Sequence, residues 1–195
     1  MDPYSDRQLV DETTHGSLVL CKTVLGNPAT PTTTQIACQA RIVALLDSLP
    51  AIRAFDRMPH ARSHTAKNGD AKPSVDTDSQ PLNEWQLLLD RCVAYRDLAL
   101  AYRRTGDVHS AACNYRRATT LIQALLPVLS APNACESDEA ILSEDVRRHR
   151  NAMHSFATNT LIQALGDWAD VERAIGRPTA AERLQNRANA LRAAQ

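Results

Sequence analysis

The chain has 195 residues, with 22 basic and 22 acidic side chains and a formal net charge of zero. That length buries one ordinary core, so a single domain with tails is expected. The charge balance excludes capture of duplex DNA or an anionic membrane by bulk attraction, although it leaves room for a local basic patch.

Residues 1–31 read as a poorly structured N-terminal segment. The opening "MDPYSDRQLVDE" is acidic and has no apolar stretch behind it, so it fits neither a secretory signal nor a basic mitochondrial presequence. "SLVLCKTVLG" fits a short strand or a helix turn, and "NPATPTTT" reads as a linker. From Thr34 to Phe55 the pattern is helical, with Ile36, Ala40, Val43, Leu46 and Leu49 in three- and four-residue steps. Thr32, Thr33 and Thr34 offer N-caps. Pro50 should kink or split the helix, because it has no amide proton and crowds the preceding turn. Residues 32–56 are therefore a helical segment expected to dock on the rest. Residues 57–80 are rich in turn formers and read as a flexible linker. This stretch holds His60 and His64, but gives them little helical support and no third ligand, so no metal site is expected.

Residues 81–195 form the main helical domain. Trp85, Leu88, Leu89, Cys92, Tyr95, Ala99 and Tyr102 make one stripe, with Ser79 as cap and Pro81 in the first turn. The helix should stop at Thr105–Gly106. Asp107 should cap the next helix, which carries Ala111, Ala112, Tyr115, Ala118, Leu121, Ile122 and Leu125 and should end near Pro127. "SAPNACES" reads as a turn, and Ser137 as the cap of a third, long helix. Its stripe runs through Ile141 or Leu142, Val146, His149, Met153, Phe156, Thr160, Ala164, Trp168, Val171 and Ile175. Gly166 falls off that stripe, Gly176 stops the helix, and a last helix spans about Ala180 to Ala193.

The five cysteines are Cys21, Cys38, Cys92, Cys113 and Cys135, widely spaced and never in a CxxC pair. They suit neither a zinc site nor a disulfide scaffold and point to a reducing compartment, with the cytosol favoured. No apolar run approaches the roughly 20 residues of a membrane span. The only lysines are Lys22, Lys67 and Lys72. The arginine bias fits either a GC-rich genome or a preference for paired, planar contacts.

The short turn at Gly106 makes its flanking helices antiparallel neighbours. Ala99, Ala111 and Ala118 let their backbones approach, with Tyr95, Tyr102 and Tyr115 around them. This resembles the tetratricopeptide repeat (TPR), a helix–turn–helix unit of about 34 residues. Tyr95 stands at the first aromatic, Leu98–Ala99 at the leucine–small pair, and Tyr102 at the next aromatic. Gly106 stands at the turn, Ala111 at the small residue opening the second helix, and Tyr115 and Ala118 complete the unit. Pro127 lies beyond the terminal proline's position. A second frame sits close to two repeat lengths further on, at Gly176, with Leu165, Trp168–Ala169, Ala181 and Ala188 in place. Here Glu172 and Gln185 stand where large apolar residues belong. The resemblance spans about residues 92–125 and, in degenerate form, 162–195. The fold expected is all-α: antiparallel helical hairpins, either a fragment of a right-handed TPR-like superhelix or a bundle of four to five helices.

The resemblance implies a groove lined by first helices that takes a peptide or a partner helix. The groove positions are Val93, Arg96, Asp97, Leu100, Arg103 and Arg104 in the first unit, and Gln163, Asp167, Asp170 and Arg173 in the second. Arg96 and Leu100 stand where carboxylate-binding repeats carry lysine and asparagine. The expected role is a non-catalytic protein–protein interaction module, an adaptor, scaffold or complex subunit, with homodimerisation one way to complete the core. The competing role is a nucleic-acid-associated helical protein using "RRHR" at Arg147–Arg150 together with Arg116–Arg117. Acidic Glu144–Asp145 one turn before should neutralise much of the first patch, and base-stacking aromatics are not interleaved. The chain has no phosphate loop, nucleophile elbow or HExxH, so neither catalysis nor a cofactor is expected. The hairpin reading makes one demand on stability. Ala111→Arg should lower it by several kcal/mol through overpacking and an unpaired buried charge, and unchanged thermal unfolding of the purified variant would contradict the hairpin.

Overall fold

The computed structural model describes residues 16–49, 52, 81–130 and 144–195, with the backbone alone for 81–83 and 146. The linker at 57–80, the histidines in it, the caps Ser79 and Ser137 and the stripe positions Ile141 and Leu142 lie outside these residues. All regular structure among the described residues is helical: α1 at 16–25, α2 Thr32–Ser48, α3 Pro81–Arg104, α4 Val108–Ser130, α5 Glu144–Ala174 and α6 Pro178–Ala193.

The N-terminal region departs from expectation. Residues 16–25 form a helix because Leu18, Cys21 and Leu25 share one face, and that face packs with Ile42, Val43 and Leu46 of α2 and with Ala94, Tyr95 and Leu98 of α3. This adds a sixth helix to the four or five expected. The loop to α2 is short and satisfied: Thr30 Oγ1 donates to the Val24 carbonyl at 2.7 Å, and the Asn27 side chain accepts the Ala29 amide at 3.0 Å. None of the three threonines caps α2; Pro31 holds the N-cap position without a side-chain bond. At its other end α2 stops at Ser48, and Leu49 is extended with ψ 135°. A residue before proline is pushed out of the helical region by the ring, so the helix is split, the second of the two outcomes expected of Pro50, and Ile52 beyond the break is helical and fully buried in the main core. Asp47 then ties α2 to α3, accepting from Arg91 Nε and from the Tyr95 hydroxyl, each at 2.6 Å.

The two later turns are built alike. Gly106 and Gly176 have φ of 81° and 84°. The amide of Asp107 reaches back to the Tyr102 carbonyl at 3.0 Å and that of Gly106 to Arg103 at 3.1 Å; Arg177 to Glu172 at 2.8 Å and Gly176 to Arg173 at 3.0 Å repeat the pattern. This is the Schellman arrangement, which closes a helix through one left-handed residue and satisfies its last carbonyls. Asp107 caps α4 as expected, its Oδ1 accepting the Ser110 amide at 3.0 Å, and that bond holds the Asp107 carboxyl below the usual range. Pro178 opens α6 in its first turn, where no amide proton is needed.

Small residues close both hairpins. Ala99, Ala111 and Ala118 and their counterparts Ala169, Ala181 and Ala188 are fully buried. Each helix packs on the next from α3 to α6, α2 packs on α3, and α3 also touches α5. Long α5 is thus covered from more than one side, so its buried set is wider than one stripe. Met153, Thr160, Ala164 and Val171 are buried as expected, and Ala157, Leu161, Ile162, Leu165 and Ala169 join them, while His149 and Phe156 face solvent. The helix α4 runs through Pro127 to Ser130 instead of ending there. Leu125 and Leu129, both packed in the main core, lie on either side of the proline, and their burial, about 1.5–3 kcal/mol each, offsets its cost. At the degenerate position, Glu172 is only 4 % exposed. It keeps its place by accepting the Trp168 indole N–H at 2.8 Å beside Arg177 at 3.7 Å.

The glycines should answer to alanine in opposite directions. A Cβ at Gly166, within α5, meets nothing within 4 Å, so Gly166→Ala should gain about 0.5–1 kcal/mol from helix propensity. Gly106→Ala or Gly176→Ala should lose about 1–2 kcal/mol to the left-handed backbone. Chemical denaturation of the three variants measures both signs.

Candidate interaction face

The helices α3 and α5 run side by side in the same direction, because Arg96 meets Gln163 and Arg103 meets Asp167 and Asp170. Arg96 Nη1 donates to Gln163 Oε1 at 2.9 Å, and its Nη2 pairs with Asp97 at 3.1 Å. Arg103 spans two carboxylates, Asp167 at 3.4 Å and Asp170 at 3.2 Å. Arg173 closes the row on Asp170 at 2.6 Å. Of the expected groove positions, Arg96 and Arg103 of α3 and Gln163, Asp167, Asp170 and Arg173 of α5 are thus brought together, with Leu100 half-buried and Arg104 exposed. Arg96 and Arg103 make the pairs that cross between the two helices. Val93 and Asp97 instead turn toward the N-terminal hairpin.

There α1 adds a wall that the residue pattern did not announce. Leu18, Lys22 and Leu25 of α1, Ile42 of α2 and Leu87 and Val93 of α3 line a cleft of about 290 Å³. Lys22 reaches Asp90 at 3.9 Å across its mouth. The other feature of this face is Phe156, 51 % exposed. It sits seven residues before Gln163 and eleven before Asp167, a spacing that puts all three on one side of α5. Its apolar character placed it in the core stripe; only the way α4 and α6 flank α5 turns it outward.

Burial shapes the charges. It raises the Asp97 carboxyl above its usual range, against the pull of Arg96 and Arg104. Asp167 is likewise raised by burial, with Arg103 and Arg96 opposing. Below the row, burial and then the Asp167 charge push the Tyr115 phenol up to about 12; its hydroxyl has no hydrogen-bond partner among the described residues.

Elsewhere the chemistry is sparse. Arg147 pairs with Glu144, and Arg148 with Glu144 at 3.3 Å and Asp145 at 3.9 Å, so the densest basic run is largely neutralised within its own helix. Among the described residues no three metal-ligating side chains gather. Cys21, Cys38, Cys92 and Cys113 are free thiols, Cys113 exposed and Cys92 pushed up to about 12 by burial. No helix among the described residues is long and apolar enough to cross a membrane. Comparison with protein-family models, curated proteins and solved structures finds no match to the chain.

The raised Asp97 gives a signed pH dependence. A carboxyl that holds its proton more tightly when folded makes stability fall as pH rises from about 3.9 through its folded value. Asp97→Asn removes that loss, so the variant should gain on the wild type as pH is taken from about 3 to 7. Thermal midpoints across this range measure it, and a variant that loses ground as pH rises would show that pairing to Arg96 outweighs burial.

Proposed function

We propose that the chain is a non-catalytic, TPR-like interaction module whose α3–α5 face and adjoining cleft dock another protein, as an adaptor or as a subunit of a larger assembly. The observation that carries this is Phe156. Half of a large apolar side chain stands in water on the same face as a row of partly exposed, cross-paired charges. A contact centred on an exposed aromatic and bordered by arginine and carboxylate has the make-up of a protein interface. The paired row is already geometrically set, so a partner meets fixed charges and little ordering cost remains. Half-exposed Val93 and Leu100 extend the apolar part toward the cleft.

The repeat reading is supported by the two hairpins at Gly106 and Gly176, whose turns, alanines and hydrogen bonds correspond position by position. The α1–α2 hairpin stacked before them supplies the third unit that repeat stability calls for. The cytosol fits the free thiols, and the neutralised Arg147–Arg148 run weighs against nucleic acid as the partner of this face.

The test compares the wild type with Phe156→Asp and Leu100→Asp in native affinity capture, with masses by light scattering. Phe156→Asp should fold normally, because the site is half exposed, and should lose about tenfold or more of partner or self-association. Retention unchanged in both variants, or a lone monomer that recovers no stoichiometric partner, would overturn the assignment.

A further inference from the structure

The N-terminal hairpin carries a chemistry that the docking face does not use. Cys21 of α1 and Cys38 of α2 each lie one to two turns from the short loop at residues 26–31 that joins the two helices. A helical hairpin sets positions so placed opposite each other. The two side chains belong to one apolar cluster with Ile42, Val43 and Leu46, and their thiols share a hydrogen bond. Both thiols are free.

Their surroundings differ. Cys21 is buried and Cys38 half-buried. Burial raises the Cys21 thiol above its usual range, the contact with Cys38 adds to the rise, and the Arg41 charge opposes it. A thiol reacts with an oxidant as its thiolate and in proportion to its access. Cys38 is therefore the sulfur that a small oxidant meets first, and Cys21 the one that resolves the product. The remaining described thiols are placed otherwise. Cys92 is sealed in the main core and pushed up to about 12 by burial, and Cys113 is exposed on α4, outside the cluster of Cys21 and Cys38.

The helix that this pair would fasten is lightly held. α1 spans residues 16–25, and a helix this short is marginal on its own. One apolar face, with Leu18, Cys21 and Leu25, packs it on α2 and α3. The ion pair from its Lys22 to Asp90 is 3.9 Å long and exposed. Val19 and Leu20 stand 50 % and 65 % exposed on its outer side. An element with so few buried contacts opens locally at low cost.

We propose that Cys21 and Cys38 form a peroxide-oxidisable pair whose disulfide pins α1 to α2 and so fixes the α1 wall of the cleft. The Cys38 thiolate attacks one oxygen of hydrogen peroxide. The S–O bond forms, the O–O bond breaks, and the departing hydroxide leaves as water with the proton the thiol gave up. The Cys21 sulfur then attacks the sulfur of the Cys38 sulfenic acid. The S–S bond forms, the S–O bond breaks, and the hydroxyl leaves as a second water with the Cys21 proton. Two electrons pass from the thiols to the peroxide, and a thiol reductant reverses the change by exchange. The cross-link closes the loop between the two helices and restricts the open states of α1. The wall is fixed in this way whether or not the cleft docks a protein.

The test uses the full chain with Cys113→Ser and Cys135→Ser, which leaves the pair and buried Cys92. One equivalent of hydrogen peroxide should remove two hydrogens from the intact mass, and a non-reducing digest should join the segments that hold Cys21 and Cys38. Hydrogen exchange should then slow about tenfold or more at the α1 amides of Cys21, Lys22 and Val24, with the amides of α6 unchanged, and dithiothreitol should restore the original rates. Cys21→Ser should leave a Cys38 sulfenic acid that dimedone traps, and Cys38→Ser should leave Cys21 unoxidised at the same dose; if either variant fails to fold, the other carries this arm. A digest that joins Cys92 to either thiol, sulfinic acid at Cys38 in place of the disulfide, or a disulfide that leaves exchange in α1 unchanged would overturn the proposal.

Discussion

At Gly106 and again at Gly176 the chain reverses through a left-handed glycine, and the pairing of α3 with α4 and of α5 with α6 follows from that repeated reversal. Each turn leaves its two helices antiparallel and close, a separation only fully buried alanines allow. The two glycines close their hairpins with the same pair of backbone bonds, and the packing of α4 on α5 and of α3 on α5 brings α3 and α5 side by side in the same direction. Residues of α3 then meet their counterparts near the same height of α5, as Arg103 meets Asp167 and Arg96 meets Gln163.

Guanidinium chemistry holds the assembly at the places where helices meet. Arg91 reaches Asp47 between α2 and α3, and Arg103 divides its fork between two aspartates of α5. Arg117 lies over Tyr95, and Arg116 over Trp168. A lysine ammonium offers neither the two-pronged contact nor the flat stack, so the near absence of lysine after α1 has a structural use here, whatever its origin. The cost is visible in Asp97 and Asp167, whose carboxyls burial raises despite their arginine neighbours. Charges kept at some expense to stability on an accessible face suit recognition better than they suit packing.

Much of this was legible in the residues. Gly106 and Gly176 declare the turns, Asp107 its cap, and the alanines the close approaches, because each depends on local backbone chemistry. What failed to show depends on packing at a distance. In α1, Leu18, Val19, Leu20, Cys21, Val24 and Leu25 are apolar nearly all round, so no period separates strand from helix until α2 and α3 choose a face. Phe156 has the spacing of a core residue and faces water only because α5 is flanked on more than one side. Glu172 breaks the apolar pattern, yet is buried through a bond to Trp168 on its own helix. The groove positions on α3 and α5 were readable as a face, but their mutual pairing required the register of two helices that a whole further helix separates along the chain.

The central claim is that the two turns are the same structure, and amide hydrogen exchange at residue resolution tests it directly. The amides of Asp107 and Arg177, each bonded back to the carbonyl five residues earlier, should both be protected, together with those of Ala111 and Ala181 that open the following helices. Protection at one turn with coil-like exchange at the other would contradict it.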